Sequence, residues 1–304
     1  KGMQMIVAAG NEGNNPWHYL ITPSDADSVL AVGAVDTLGN IGSFSSYGPS
    51  SDGQIKPAVA AVGWNAMIAN STTGLPVPSN GTSFACPNMA GLATCLWQAF
   101  PEENNMEIIS ALQQSASKAS NPDDRIGYGI PDMKKAFVII LKRLYSQQIK
   151  QAGCNVFINW NVKSSEDMNF EIERKLPADS DFVNIRTQNG LGFFVNANFS
   201  FSDDLTAFST PINISYRIKM NIGTDTSFYF DPVIIQHLNT CNTYIFTGNG
   251  YWNDVSNWEG GIISPAALPA GSTILINSLG YGESILNIRQ QIMPSAYMNV
   301  LPWK

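Results

Sequence analysis

Apolar and polar positions change rhythm near residue 145, and the change divides the chain into two kinds of architecture. Before that point the pattern is mixed. Ile6-Val7-Ala8-Ala9 is a short apolar run that reads as a buried strand, and the polar stretch Gly10-Asn11-Glu12-Gly13-Asn14-Asn15-Pro16 ends it in a turn. Ala85, Met89, Leu92, Ala93, Leu96, Trp97 and Phe100 recur at three- and four-residue steps, which predicts a helix with one face on a core. Met106 to Ser117 and Met133 to Leu144 read as two further helices around a tight loop, Arg125 to Asp132. Leu75-Pro76-Val77-Pro78-Ser79-Asn80 reads as loop, because proline cannot donate to a strand ladder.

Beyond residue 145 the period becomes two. Val156, Ile158, Trp160 and Val162 alternate with polar residues, as do Ile212, Ile214, Tyr216, Ile218 and Met220, the mark of half-buried antiparallel strands. Turn-rich segments at Pro177 to Asp181 and Gly223 to Asp225 separate them, and strands at such spacing predict a β-sandwich over residues 146–242. Within it Glu166 and Asp167 read as a solvated strand end or turn. From 243 to 304, Ile274-Leu275-Ile276-Asn277 and Ile285-Leu286-Asn287-Ile288 predict a smaller β-rich module. Trp252 and Trp258 read as its core, stacking on a glycan being the other role open to such a pair.

Candidate chemistry lies where a turn of small residues becomes the first helix, at Gly81-Thr82-Ser83-Phe84-Ala85-Cys86-Pro87. A helix start carries unpaired N–H groups and a positive dipole end, so negative charge developing on a substrate oxygen is stabilised there. Ser83 is the candidate nucleophile, and Pro87 is expected in the first turn, where a missing N–H costs little. The competing role for Thr82 or Ser83 is a plain helix cap. Asn11, at the end of the apolar run, is the candidate donor to an oxyanion; a turn asparagine beside glycine is its ordinary alternative.

Taken together, Val7 to Gly13, Val29 to Val35, Ser43-Phe44-Ser45-Ser46-Tyr47-Gly48-Pro49, Lys56-Pro57-Ala58-Val59-Ala60-Ala61 and Asn80 to Gly91 resemble the subtilisin-like serine proteases, the subtilases. The resemblance implies an α/β domain, a parallel sheet with flanking helices, over residues 1–145. It also implies Ser83 as acyl nucleophile and Asn11 with the Ser83 N–H as oxyanion hole. Ala8, Ala9 and Gly10 would then line the substrate pocket, and Pro23 would follow a cis peptide. Calcium is compatible with the family, but no calcium site and no other cofactor or metal site is identifiable in the residues. The chain departs from the usual family pattern at Ala58, at Val62 before Gly63, and at Phe84 and Cys86, the last read as a small buried hydrophobe. Behind the catalytic part, Ile158 to Arg174 and Tyr216 to Lys219 resemble a fibronectin-type-III-like module. Gly248 to Trp258 resembles a Trp-motif β-module of secreted bacterial surface proteins.

The triad of a subtilase runs Asp, His, Ser along the chain. The only histidines are His18 and His237, and neither has the expected surroundings. A serine without a base is a poor nucleophile. The expectation is that the chain is the carboxyl-terminal part of a catalytic domain, inactive alone, whose Asp and His come from an upstream part or a partner chain. A protease-derived scaffold or adhesion protein is the alternative. An α/β-hydrolase order, Ser83, Asp132, His237, is a further reading, disfavoured by the loop expected before Gly81.

Composition refines this picture. The net charge of −7 and a pI near 4.8 argue against nucleic acid as a partner, and peptide or protein substrate is expected. No apolar run is long enough to predict a transmembrane segment. Cys86 and Cys95 fall on opposite faces of one helix, whereas Cys154 and Cys241 bracket the expected sandwich and are predicted to form a disulfide. With the resemblance, these features point to a secreted or cell-surface protein, with surface or secretion-system partners.

Overall fold

The computed structural model describes residues 2–152, 154–208, 211–237, 243–268, 271–276, 284–294 and 296–300. The chain divides into two compact units, Lys1–Leu144 and Tyr145–Lys304.

In the first unit, β1 (Ile6–Ala8), β2 (Leu30–Val35) and β3 (Val59–Val62) form a parallel sheet in that order. Every residue of β2 is buried, as expected of a strand covered on both faces. β4 (Ala66–Ala69) and β5 (Pro76–Ser79) make a separate antiparallel ribbon. This corrects the loop expected over 75–80. Pro76 and Pro78 are tolerated because the ribbon has only two strands, leaving β5 an open edge that needs no donor. Helix α1 (Thr82–Ala99) packs on all three strands of the parallel sheet. Ala85, Met89, Ala93 and Leu96 are buried along it, but Leu92, expected on the same face, is 42% exposed. Helix α2 (Asn105–Ser115) begins at an Asn104 cap that accepts from the Glu107 N–H. Helix α3 (Met133–Leu144) spans the predicted residues, and its Arg143 bonds both Glu103 and Glu107.

In the second unit, β6 (Ser146–Ala152), β7 (Asn155–Ser164), β8 (Met168–Lys175), β9 (Val183–Asn189), β10 (Val195–Asp204), β11 (Ile212–Ile222), β12 (Thr226–Tyr229) and β13 (Val233–His237) form two antiparallel sheets. One has the order β10-β7-β6; the other has β12-β11-β8-β9, with β13 also on β11. The alternation read from the sequence is realised: Val156, Ile158, Trp160, Val162, Ile214, Tyr216, Ile218 and Met220 are all buried. The sheets meet where Trp160 and Phe199 of one contact Phe170 of the other, with ring centroids 4.7 to 5.7 Å apart. Cys154 is a free thiol, its S–H donating to the Gly271 carbonyl at 3.2 Å. Cys241, the other half of the expected disulfide, lies outside the described residues.

The remaining strands are short and all parallel. β14 (Thr243–Phe246), β15 (Gly250–Tyr251), β16 (Ala267–Leu268), β17 (Thr273–Ile276), β18 (Ser284–Ile285), β19 (Gln291–Ile292) and β20 (Tyr297–Val300) pair as β14-β17-β20, β15-β18 and β16-β19. The chain therefore visits three sheets in a fixed cyclic order, which is the winding of a parallel β-helix. Phe246, Trp252, Trp258, Leu268 and Ile274 fill its interior. Trp258 donates its indole N–H to the Trp252 carbonyl, and Trp252 its own to Ser284. Both tryptophans are at least 97% buried, so they serve the core and not a glycan.

Candidate active site

Asn11 and the start of α1 come together through Thr82. After β1, Ala9 is held on both sides: its N–H donates to Val32 and its carbonyl accepts from Ile21. Gly10 follows with φ +110°, and a side chain there would meet the Ser46 hydroxyl at 2.8 Å, so glycine is required. Its N–H donates to the Thr82 Oγ1 at 3.2 Å. Asn11 Oδ1 then accepts from both the Thr82 N–H (2.9 Å) and its hydroxyl (3.2 Å). A backbone N–H can only donate, so the oxygen end of the Asn11 amide must face Thr82, and the Nδ2 end is left to donate elsewhere.

The helix start is fixed from below by β3. Gly63, just past that strand, donates to Val35 and accepts the Gly81 N–H at 2.8 Å. A Cβ on Gly63 would lie 2.6 Å from the Gly81 carbonyl oxygen and 2.9 Å from the Ala85 Cβ. Asn80 ties the same turn to Asn65. Gly81 occupies the cap position without a side-chain bond, Thr82 is the first helical residue and Ser83 the second. Neither Thr82 nor Ser83 is thus the cap. Ser83 is exposed, and its hydroxyl makes no hydrogen bond among the described residues. Its own N–H belongs to the unpaired first turn.

Two details of the motif differ from expectation. Pro87 lies inside the helix, four residues past Ser83, where its missing N–H leaves the Ser83 carbonyl without the usual helical donor. Cys86 is half-buried with its S–H on the Ile6 carbonyl, and burial pushes its thiol up, which keeps it protonated and inert. Among the pocket-lining candidates, Gly10 and Ala9 are buried and Ala8 is partly so. Thr22–Pro23 is cis, as are Gly48–Pro49 and Lys56–Pro57.

Both histidines are used elsewhere. His18 stacks on Tyr47, with centroids 4.1 Å apart. His237 is fully buried in the second unit, its Nδ1 2.8 Å from the Gln151 amide. Asp132 accepts from the Lys135 N–H at the start of α3. The α/β-hydrolase order therefore has no support: Asp132 caps a helix, and the strand before Ser83 belongs to the ribbon and not to the parallel sheet. Among the described residues no three His, Cys, Asp or Glu side chains form a metal-binding group, and no helix is long and apolar enough to cross a membrane.

An exposed serine at a helix start, with the Asn11 amide held by the neighbouring Thr82, is the arrangement that the resemblance to subtilases led us to expect. Residues 1–129 match the subtilase family model. The matched segment is 36% identical over 129 residues to the thermophilic serine proteinase of Bacillus sp. (strain AK1), covering 42% of this chain and 29% of that protein. It is 33% identical over 135 residues to the halolysin-like extracellular serine protease Nep of Natrialba magadii, covering 44% and 23%. Among solved structures, the self-cleaved protease domain of PatA is 30% identical over 45% of this chain and 50% of that one, with a TM-score of 0.38. The chain spans less than half the length of the curated relatives it matches.

Sequence reasoning singled out Ser83 and Asn11 but passed over Thr82 as anything but a cap. The signal was available: a threonine beside the candidate Ser83 has both an N–H and a hydroxyl to offer a neighbouring amide.

Proposed function

We propose that the subtilase segment supplies the nucleophilic and oxyanion-binding half of a secreted serine endopeptidase. Ser83 Oγ attacks the scissile carbonyl carbon and gives its proton to a base. The oxygen that becomes negative accepts from Asn11 Nδ2 and the Ser83 N–H. The base returns the proton to the leaving amine, and water then releases the acyl group from Ser83. Ala8, Ala9 and Gly10 line the pocket for the residue before the scissile bond. The base is neither His18 nor His237, so Asp and His come from residues outside these 304, in the same protein or a partner chain. The strand-rich remainder, including a fibronectin-type-III-like sandwich, serves attachment at the cell surface, and calcium binding is left to that outside part. The observation that carries the reading is the clamp of Asn11 Oδ1 by Thr82, which leaves an amide N–H free beside an unbonded serine hydroxyl.

The test is labelling of the full-length protein with a fluorophosphonate, mapped by mass spectrometry. The expected adduct is on Ser83, absent in Ser83→Ala and formed about 10²–10³ times more slowly in Asn11→Ala, the loss typical of removing one oxyanion donor. No adduct in the full-length protein overturns the reading and leaves a protease-derived scaffold.

A further inference from the structure

Trp17, His18 and Tyr19 are consecutive, and the His18 ring lies against both Tyr47 and Tyr19, with centroids 4.1 and 4.3 Å away. The Tyr47 N–H donates to the His18 carbonyl, and the Arg125 guanidinium lies 4.0 Å from the centre of the Tyr47 ring. Anchored by the residue between them, Trp17 and Tyr19 remain 56% and 42% exposed. Their rings meet at 72° with centroids 6.1 Å apart. With Leu20, Asp25, Pro49 and Ser50 they line a pocket of about 390 Å³. Asp25 makes no hydrogen bond or salt bridge among the described residues. The nearby Lys56 acts on Asp25 through space but makes no bond to it, because its ammonium is turned onto the Ala26 and Val29 carbonyls. Asp27 and Asp52 act on the same lysine, so its charge is shared among three carboxylates.

Two aromatic rings at an angle and a carboxylate without a bonded partner form a receptor for an organic cation. A cation within about 6 Å of a ring centre is attracted to its face, and Trp is the strongest such partner. Leu20 and Pro49 offer apolar surface for the methylenes of a long basic side chain, which bury readily while the charged end stays polar. An anion would be repelled here, and a neutral apolar guest would leave Asp25 desolvated without return.

We propose that this pocket binds the side chain of a lysine or arginine in the polypeptide substrate. Calling that polypeptide a substrate rests on the reading of Ser83 as nucleophile; the pocket's preference for a cation does not. The test is ¹⁹F NMR of the protein labelled with 5-fluorotryptophan, the Trp17 signal being assigned through Trp17→Phe. It is titrated with acetyl-Gly-Lys-Gly-amide, the same peptide with norleucine, and n-butylammonium. The expected result is a shift of the Trp17 signal with the lysine peptide binding about tenfold or more tightly than the other two, and a loss of about tenfold in Asp25→Asn. Equal affinity for lysine and norleucine, an unmoved Trp17 signal, or full affinity in Asp25→Asn overturns the proposal. Butylammonium binding as tightly as the peptide overturns the assignment to a polypeptide. Ser83→Ala is expected to bind the lysine peptide as the parent does. Lysine selectivity retained in a protein that forms no fluorophosphonate adduct would remove the protease reading and leave the pocket's cation selectivity intact.

Discussion

Thr82 is linked three ways within a few ångströms: it accepts from Gly10 and donates twice to Asn11. Losing the hydroxyl alone removes one acceptor and one donor while keeping the N–H bond. Thr82→Val is therefore expected to lower stability by about 1–3 kcal/mol, since two hydrogen bonds are lost and the buried Gly10 N–H is left without its acceptor. It is also expected to slow fluorophosphonate labelling of Ser83 in the full-length protein by about tenfold, because the Asn11 amide gains freedom to rotate. Thr82→Ser should behave as the parent in both. Equal labelling rates for the valine and serine variants would remove Thr82 as a positioning residue. Ser83 itself was legible in the sequence because a hydroxyl among small residues before an apolar stripe is a local pattern. The clamp on Asn11 was not, since its partners stand 71 residues apart and only the parallel sheet brings them together.

At the level of elements, the helix start depends on what lies beneath it. Gly63 follows β3 directly beneath the helix start, and a methyl group there would press on the Gly81 carbonyl and the Ala85 and Ala34 methyls. Gly63→Ala is expected to destabilise the first unit by about 1–3 kcal/mol, as overpacking does, with a matching fall in the urea midpoint. A midpoint within experimental error of the parent would show that the turn yields freely. The same scale explains which elements could be read ahead. α3 was legible to its ends because three apolar periods run between polar flanks. The alternation on β7 and β11 was equally clear, each strand being 10 or 11 residues with one face inward. β5 was missed because its prolines exclude a central strand and the sequence does not say that the strand is an edge. Leu92 was misplaced because α1 carries apolar residues around much of its surface, so no single stripe was defined.

For the molecule as a whole, the second unit holds two tyrosines, the fully buried Tyr216 and the half-buried Tyr145, that bear on its response to alkali. Burial pushes the Tyr145 hydroxyl well above the ordinary tyrosine range; burial and then the Asp203 carboxylate, which accepts from Tyr216 at 2.6 Å, do the same to Tyr216. In the unfolded chain both ionise near the usual value of about 10, while the folded chain keeps their protons. Their contribution is thus fully present below pH 10 and is lost as pH rises beyond it. Urea midpoints compared at pH 9 and pH 11 should show a smaller alkaline loss in Tyr216→Phe than in the parent; an equal loss would place the alkaline sensitivity elsewhere. Trp252→Ala, which empties the centre of the β-helix, is expected to cost about 3–5 kcal/mol in that segment, and a change below about 1 kcal/mol by tryptophan fluorescence on unfolding would contradict its place in the core. The winding escaped sequence reading because its strands have two to four residues, too few to show a period, and their partners lie far along the chain: Thr243 pairs with Thr273, and Thr273 with Tyr297. That geometry has a mechanical consequence. Each strand there rests on the one a circuit away, so cohesion is a sum over adjacent circuits and a defect fades after its nearest neighbours. Pulled along its axis, such a segment gives way in a series of small steps and lengthens like a rope paid out, where a globular core would hold and then fail at once.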